Sequence, residues 1–182
     1  LMLYLVTLVF VKSLHELGHA FVSKYFGCRV SSIGIAFLVF FPFLYTDTSD
    51  AWRLRDHKDR LLINFAGILT ELHLALISTF LWAILPDGGL KSVAFFIATT
   101  SWISSLAINV SPFMRFDGYY VFSDWLKAEN LQPRSFALAR WQLREILFGF
   151  NHSPPEDLNP SRRWTFISYA WLTWVYRFFI FL

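Results

Sequence analysis

His15 and His19 stand four residues apart, with Glu16 directly after the first, in the run Leu14-His15-Glu16-Leu17-Gly18-His19. On a helix this spacing puts both imidazoles on one face. Two such imidazoles can hold one zinc ion, and a carboxylate beside them can act as general base for water. The chemistry this implies is hydrolysis by metal-activated water. The surroundings narrow it further. The motif lies inside an apolar run over residues 1–26. Ionisable side chains in a membrane-length helix are costly and mark function by default.

Two histidines leave a metal incompletely held. A candidate third ligand stands in the segment from Asn109 to Tyr120, where Pro112 breaks the helix and Asp117-Gly118 is a turn signal that exposes the carboxylate. Asp117 would complete a two-histidine, one-carboxylate set with one position left for water, the pattern of catalytic zinc. Asp117 also reads as an ordinary turn aspartate at a membrane surface. Glu71 and His73 lie in another apolar stretch. Either could support the metal ligands from behind, and either could be a buried polar group satisfied by packing.

The elements that must position these residues are membrane elements. The 182 residues are 55% hydrophobic, 20% aromatic and 16% charged, below the roughly 25% charge of a soluble domain. With 21 Phe, 8 Trp and 7 Tyr the composition fits lipid-facing surfaces with interfacial aromatics. The fold class expected is a mainly α, polytopic membrane protein. The single cysteine, Cys28, excludes an internal disulfide and any multi-cysteine metal or iron–sulfur site. The net charge of +3 is small and carried by loops, so it speaks for topology and against a nucleic-acid partner. The first run is too long and too charged at its middle for a signal peptide. The chain opens on Leu1 and closes on apolar residues, so it is expected to be a piece of a longer protein.

Spans are expected over about 1–26, 61–85 and 92–110, each able to cross a ~30 Å core. Gly18 and Ala20 in the first, and Ala66-Gly67 in the second, are small enough for close helix approach. Residues 28–45 are apolar but short, with β-branched and aromatic residues at alternate positions (Val30, Ile33, Ile35, Phe37, Val39, Phe41), Gly34 interrupting and Pro42 closing. A re-entrant, β-hairpin-like segment fits best, and its strand edge could pair with an extended peptide. Residues 46–60 read as a charged loop. Residues 128–163 hold an amphipathic helix over 133–150 suited to the membrane interface, then a proline-containing loop. Its apolar stripe is Phe136, Ala139, Leu143, Ile146, Leu147 and Phe150. A fourth, truncated span begins at 164. The catalytic core is thus expected over 1–127.

Counting basic residues tests the site. Arg53, Arg55, Lys58 and Arg60 lie between the first two spans, Lys91 alone lies between the next two, and seven more follow the third up to Arg163. The positive-inside rule puts the first and last groups in the cytoplasm. Asp117 then returns to the side of Arg60. His15 and His19 meet it only if residues 28–45 do not cross, which their shortness already argued.

With both motifs in hand, the chain resembles the site-2 protease family of intramembrane zinc metalloproteases. That family carries H-E-x-x-H in one core helix and N-x-x-P-x-x-x-x-D-G at the end of another. Here these are His15-Glu16-Leu17-Gly18-His19 and Asn109, Pro112, Asp117, Gly118. Tyr45 to Trp52 and Asp117-Gly118-Tyr119-Tyr120 look like the bacterial peptide zinc metalloprotease branch, whose members are often joined to membrane-fusion secretion modules. The resemblance covers about residues 1–150. It implies His15, His19 and Asp117 as ligands of one Zn²⁺ and Glu16 as catalytic base. It also puts Asn109 near the site, where its amide could bind substrate or a developing oxyanion.

The expected activity is zinc-dependent endopeptidase cleavage of membrane-spanning or membrane-delivered peptides, in a bacterial cytoplasmic membrane, with the site toward the cytoplasm. The alternative is a non-cleaving peptide-binding component of a secretion system, which would have no need of Glu16. A histidine-box oxygenase needs roughly eight histidines for two irons, and this chain has five, His57 and His152 among them in polar loops. Cysteine-accessibility labelling is expected to reach positions beside Arg53 and Asp117 from the same membrane face; labelling from opposite faces would separate the proposed ligands.

Overall fold

The computed structural model describes residues 2–38 and 41–182. Leu1, at the start of the first apolar run, and Val39, in the alternating stretch, lie outside the described residues, as does Phe40. The described chain is mainly helical with one two-stranded sheet, a polytopic helical membrane protein. It divides into two compact units that meet after Asp124.

In the first unit, helix α1 spans Met2–Tyr25. Gly27 ends it with φ of 75°, a left-handed conformation that glycine enters without strain. The N–H groups of Gly27 and Cys28 return to the carbonyls of Lys24 and Ser23 at 3.0 and 2.9 Å, closing the last turn. Strands β1 (Ile33–Leu38) and β2 (Phe41–Thr46) then form the expected hairpin, antiparallel, with Ile33 opposite Thr46 and Leu38 opposite Phe41. Pro42 does not close this stretch. It lies within β2 opposite Phe37, which a two-stranded sheet permits because each strand has a free edge.

Residues 46–60 are more ordered than a charged loop. They contain a 3₁₀ turn at Ser49–Arg53 and the first turn of α2, which runs from His57 to Ile84. Asp56 caps that helix, its side chain accepting from the Lys58 N–H at 2.9 Å, so α2 starts before the apolar stretch does. Helix α3 (Gly89–Trp102) continues as a π-helix over Ile103–Asn109. Helix α4 follows at Asp117–Trp125.

Small residues let the spans approach. A Cβ added at Gly18 would overlap the Thr70 hydroxyl and stand 3.1 Å from the Ala66 carbonyl oxygen, so α1 lies directly on the α2 backbone. Val11, Ile63, Ile68 and Ala75 are fully buried beside this contact. The far end of α4 is tied to the start of α2. The buried Asp124 accepts from Arg60 Nε at 2.8 Å and Asn64 Nδ2 at 2.7 Å, and the Arg60 guanidinium lies 4.6 Å from the Trp52 ring.

Three helices are long and apolar enough to cross a membrane: Met2–Tyr25, His57–Ile84 and Gly89–Asn109. The second unit holds α5 (Leu131–Phe148) and α6 (Pro160–Phe181). In α5 the apolar stripe is divided. Leu138 and Ala139 are fully buried, and Phe136 packs on Trp174 of α6 with ring centroids 5.6 Å apart. Ile146 and Leu147 are exposed, and Phe150 lies past the helix, which Gly149 ends at φ of 60°. Helix α6 begins at Pro160, earlier than expected, because proline suits a first helical turn. It has the length of a span but is not among the helices apolar enough to cross, since Trp, Tyr, Thr and Arg177 dilute its aliphatic content.

Asp124→Ala leaves Arg60 buried without its carboxylate. Unfolding in detergent is expected to show a loss of about 3–5 kcal/mol; an unchanged melting curve would remove this pair from the forces holding α4.

Candidate metal centre

His15 and His19 occupy successive turns of α1 and are both buried. Their Nε2 atoms are 3.2 Å apart. Asp117, the first residue of α4, brings Oδ2 to 2.9 Å from His15 Nε2 and 3.4 Å from His19 Nε2. Asp117 is therefore not an exposed turn residue, because a short helix starts at it and turns its carboxylate inward.

The other ring nitrogens determine what this triangle can hold. His19 Nδ1 is 2.8 Å from the carbonyl oxygen of Ile63, and His15 Nδ1 is 3.0 Å from Glu71 Oε1. Both partners only accept, so each imidazole can donate from Nδ1 and keep its Nε2 lone pair for a metal. In that tautomer two Nε2 lone pairs and a carboxylate oxygen face one another. Asp117 Oδ2 is buried and makes no hydrogen bond among the described residues. Three such atoms repel unless a cation stands among them. Nitrogen and oxygen ligands about 2.0–2.1 Å from a tetrahedral centre are about 3.3 Å apart, close to these three edges. The residues present fit a zinc ion, and the described chain offers this cluster as one that could hold a metal.

Glycines make the room. A Cβ on Gly67 of α2 would overlap the Nε2 atoms of both histidines. One on Gly118 would overlap the Val110 carbonyl and stand 2.6 Å from the Asn109 oxygen, so only glycine lets α4 start against the end of the π-helix. The π-helix closes with the Val110 N–H on the Ser105 carbonyl, five residues back, at 2.9 Å. Such turns are rare and cluster at functional sites. This one points Ser104, Ser105 and Asn109 into the interior.

A cavity of about 330 Å³ opens beside the triangle, lined by Glu16, His19, Thr46, Trp52, Asp117 and Tyr120 among others. The Thr46 hydroxyl donates to the Glu16 carbonyl oxygen at 3.0 Å, fixing β2 next to the histidine motif. At the same wall, the Ser49 hydroxyl and N–H hold the Asp47 carboxyl below its usual range.

His73 and Asn109 have contrasting surroundings. His73 is exposed and donates to the Leu69 carbonyl at 2.7 Å. It stands two residues past Glu71, about 200° around the helix, and so faces away from the histidines. Asn109 is buried with its amide nitrogen 2.9 Å from Glu71 Oε2 and 3.4 Å from His15 Nδ1. That amide is directed at Glu71 and His15 Nδ1. Glu71 is fully buried directly behind His15. Sequence reasoning missed the clearance at Gly67 and the grip of Ile63 on His19. The spacing Ile63, Gly67, Glu71 was the available signal, one residue per turn on one face of α2.

Three membrane-length helices around two histidines and a carboxylate, with a glutamate on the adjoining cavity, define an intramembrane metallohydrolase architecture. The family model of Peptidase family M50 matches residues 3–106, and the chain belongs to that family, the site-2 protease family. It is a peptidase of the intramembrane metalloprotease class. No curated protein and no solved structure matches the chain. The matched residues include His15, Glu16, His19, Gly67 and Glu71, while Asn109 and Asp117 lie beyond them.

Gly67→Ala favours the helix by about 1 kcal/mol, so any loss it causes comes from the clash at the histidines. Purified protein with this change is expected to keep its helical signal and lose at least about tenfold in zinc affinity by chelator competition, the scale of disturbed ligand orientation. Wild-type affinity would show that the space beside Nε2 is not needed.

Proposed function

We propose that this chain is a zinc-dependent intramembrane endopeptidase with His15, His19 and Asp117 as metal ligands and Glu16 as general base. The observation that carries this is the triangle of two Nε2 atoms and Asp117 Oδ2 with edges of 3.2, 2.9 and 3.4 Å, the spacing of three ligands around one ion. A zinc ion held there would supply Lewis-acid activation of water and of the scissile carbonyl. Glu16 lines the cavity on the open side of the ligands. It takes the proton of the attacking water, and the same proton passes to the departing amine as the C–N bond breaks. The ligands hold their orientation through the Nδ1 contacts of both imidazoles.

The substrate is a membrane-spanning or membrane-delivered peptide. It must be extended at the cleaved bond, because a helical carbonyl is engaged and inaccessible. Strand β2, held beside Glu16 through Thr46, supports this reading, since a strand edge can pair with an extended chain. The basic residues between α1 and α2 favour a site toward the cytoplasmic face of a bacterial membrane. The resemblance to the bacterial branch makes a membrane-fusion secretion module the partner to look for.

Glu16→Gln keeps the shape and removes the base. The variant is expected to retain zinc and to lose cleavage by at least about 10²-fold, the low end for removing acid–base catalysis. Membrane proteomics should then find the substrate accumulating uncut. Cleavage by the pure variant at the wild-type rate would overturn the mechanism, and peptide export continuing without any cleavage in wild type would favour a binding component.

A further inference from the structure

The carboxylate of Glu71 is fully buried midway along α2 and is not one of the three ligands. Four side chains converge on it. Lys12 Nζ is 2.8 Å from Oε1, His15 Nδ1 is 3.0 Å and the Ser104 hydroxyl 3.2 Å from the same oxygen, and Asn109 Nδ2 is 2.9 Å from Oε2. All four donate. A carboxylate only accepts, so glutamate satisfies every one, whereas glutamine would turn an NH₂ group toward donors. The partners come from α1 and from the π-helix, with Glu71 itself on α2. One side chain therefore joins all three spans behind a metal ligand.

The result at His15 is specific. With Nδ1–H given to Glu71, the ring cannot rotate freely and its lone pair must be on Nε2, the atom that faces His19 and Asp117. We propose that Glu71 is the positioning residue of the metal centre. It orients His15 and fixes its tautomer, and through Asn109 it anchors the π-helix end against which α4 and Asp117 are set. Lys12 offsets the buried negative charge, which an apolar span would not otherwise tolerate. This inference rests on the metallopeptidase reading, and the experiment separates the two.

The bland account is that Glu71 exists only to pair with Lys12. Full-length protein in detergent would be compared as wild type, Glu71→Gln and Lys12→Met. Zinc affinity comes from chelator competition, ligand geometry from the visible absorption of the Co²⁺-loaded forms, and folding from thermal melts. Glu71→Gln is expected to bind zinc about 10–100-fold more weakly, the usual cost of losing the partner behind a ligand, with a shifted cobalt spectrum. Lys12→Met is expected to keep the wild-type spectrum, because the His15 contact survives. A Glu71→Gln protein with wild-type affinity and spectrum overturns the proposal. So does a Lys12→Met protein with the same losses as Glu71→Gln. If Glu71→Gln does not fold, histidine-¹⁵N NMR of zinc-loaded wild type decides. His15 must show its proton on Nδ1, and a proton on Nε2 overturns the proposal. If wild type takes up neither zinc nor cobalt, the metallopeptidase reading itself has failed.

Discussion

The cost of placing charge and lone pairs where water is scarce governs this molecule. A buried carboxylate, two imidazoles and a second carboxylate sit among helices whose outer faces are Leu, Ile, Phe and Val. In such a medium a charged or strongly polar atom is costly without a partner at hydrogen-bond distance or a counter-charge. Glu71 meets this demand with four donors, and Asp124 meets it with Arg60 and Asn64. The triangle of His15, His19 and Asp117 does not meet it from within the protein. That contrast sets the triangle apart from Glu71 and Asp124 and makes it the cluster that could hold a cation.

Backbone proximity is the second constraint, and glycine supplies it three times. Gly18 lets α1 lie on Ala66 and Thr70, Gly67 leaves space for the imidazole nitrogens, and Gly118 lets α4 begin against the carbonyls of 109 and 110. Each contact fixes a different part of one geometry: the distance between spans, the clearance at the imidazoles, and the approach of Asp117. Glycine is a poor helix former, worth about 1 kcal/mol less than alanine per interior position. Two of these three lie well inside their helices. Their local penalty is offset by tertiary approach that no larger residue permits.

Much of this was legible in the sequence, and for a physical reason. The spacing of His15 and His19 and the apolar spans are local patterns, and helices and lipid thickness translate them directly. The hairpin was legible because residues 33–45 are too short to cross and alternate as strands do. What escaped depends on the angle between helices. His73 and Glu71 are equally deep in sequence, yet one faces outward and the other lies behind His15, since only the packing of α1 on α2 selects a face. Asn109 escaped for a related reason. A regular helix would have carried its amide elsewhere, and the π-helix after Trp102 shifts the register of everything beyond it. The proline-linked Asp117 read as a turn, and became a helix start once Gly118 met the carbonyls it packs against. The start of α6 also escaped, since Pro160 opens the helix four residues before the expected 164.

The hairpin and the metal centre are best understood together. The triangle is closed from behind by Glu71 and Asn109, and on the α2 side by Gly67, where even a methyl group finds no room. Approach is therefore confined to the side of Glu16, Thr46 and Tyr120, where the cavity opens. That wall is made partly of strand β2, through Tyr45 and Thr46. A helical substrate has no free backbone N–H or C=O to pair with a strand, whereas an extended one does. The same scarcity of water that forces the chain to satisfy its own polar groups would act on the substrate. An unwound peptide inside an apolar region needs a partner for every exposed N–H and C=O, and a strand beside Glu16 is a surface that can provide them.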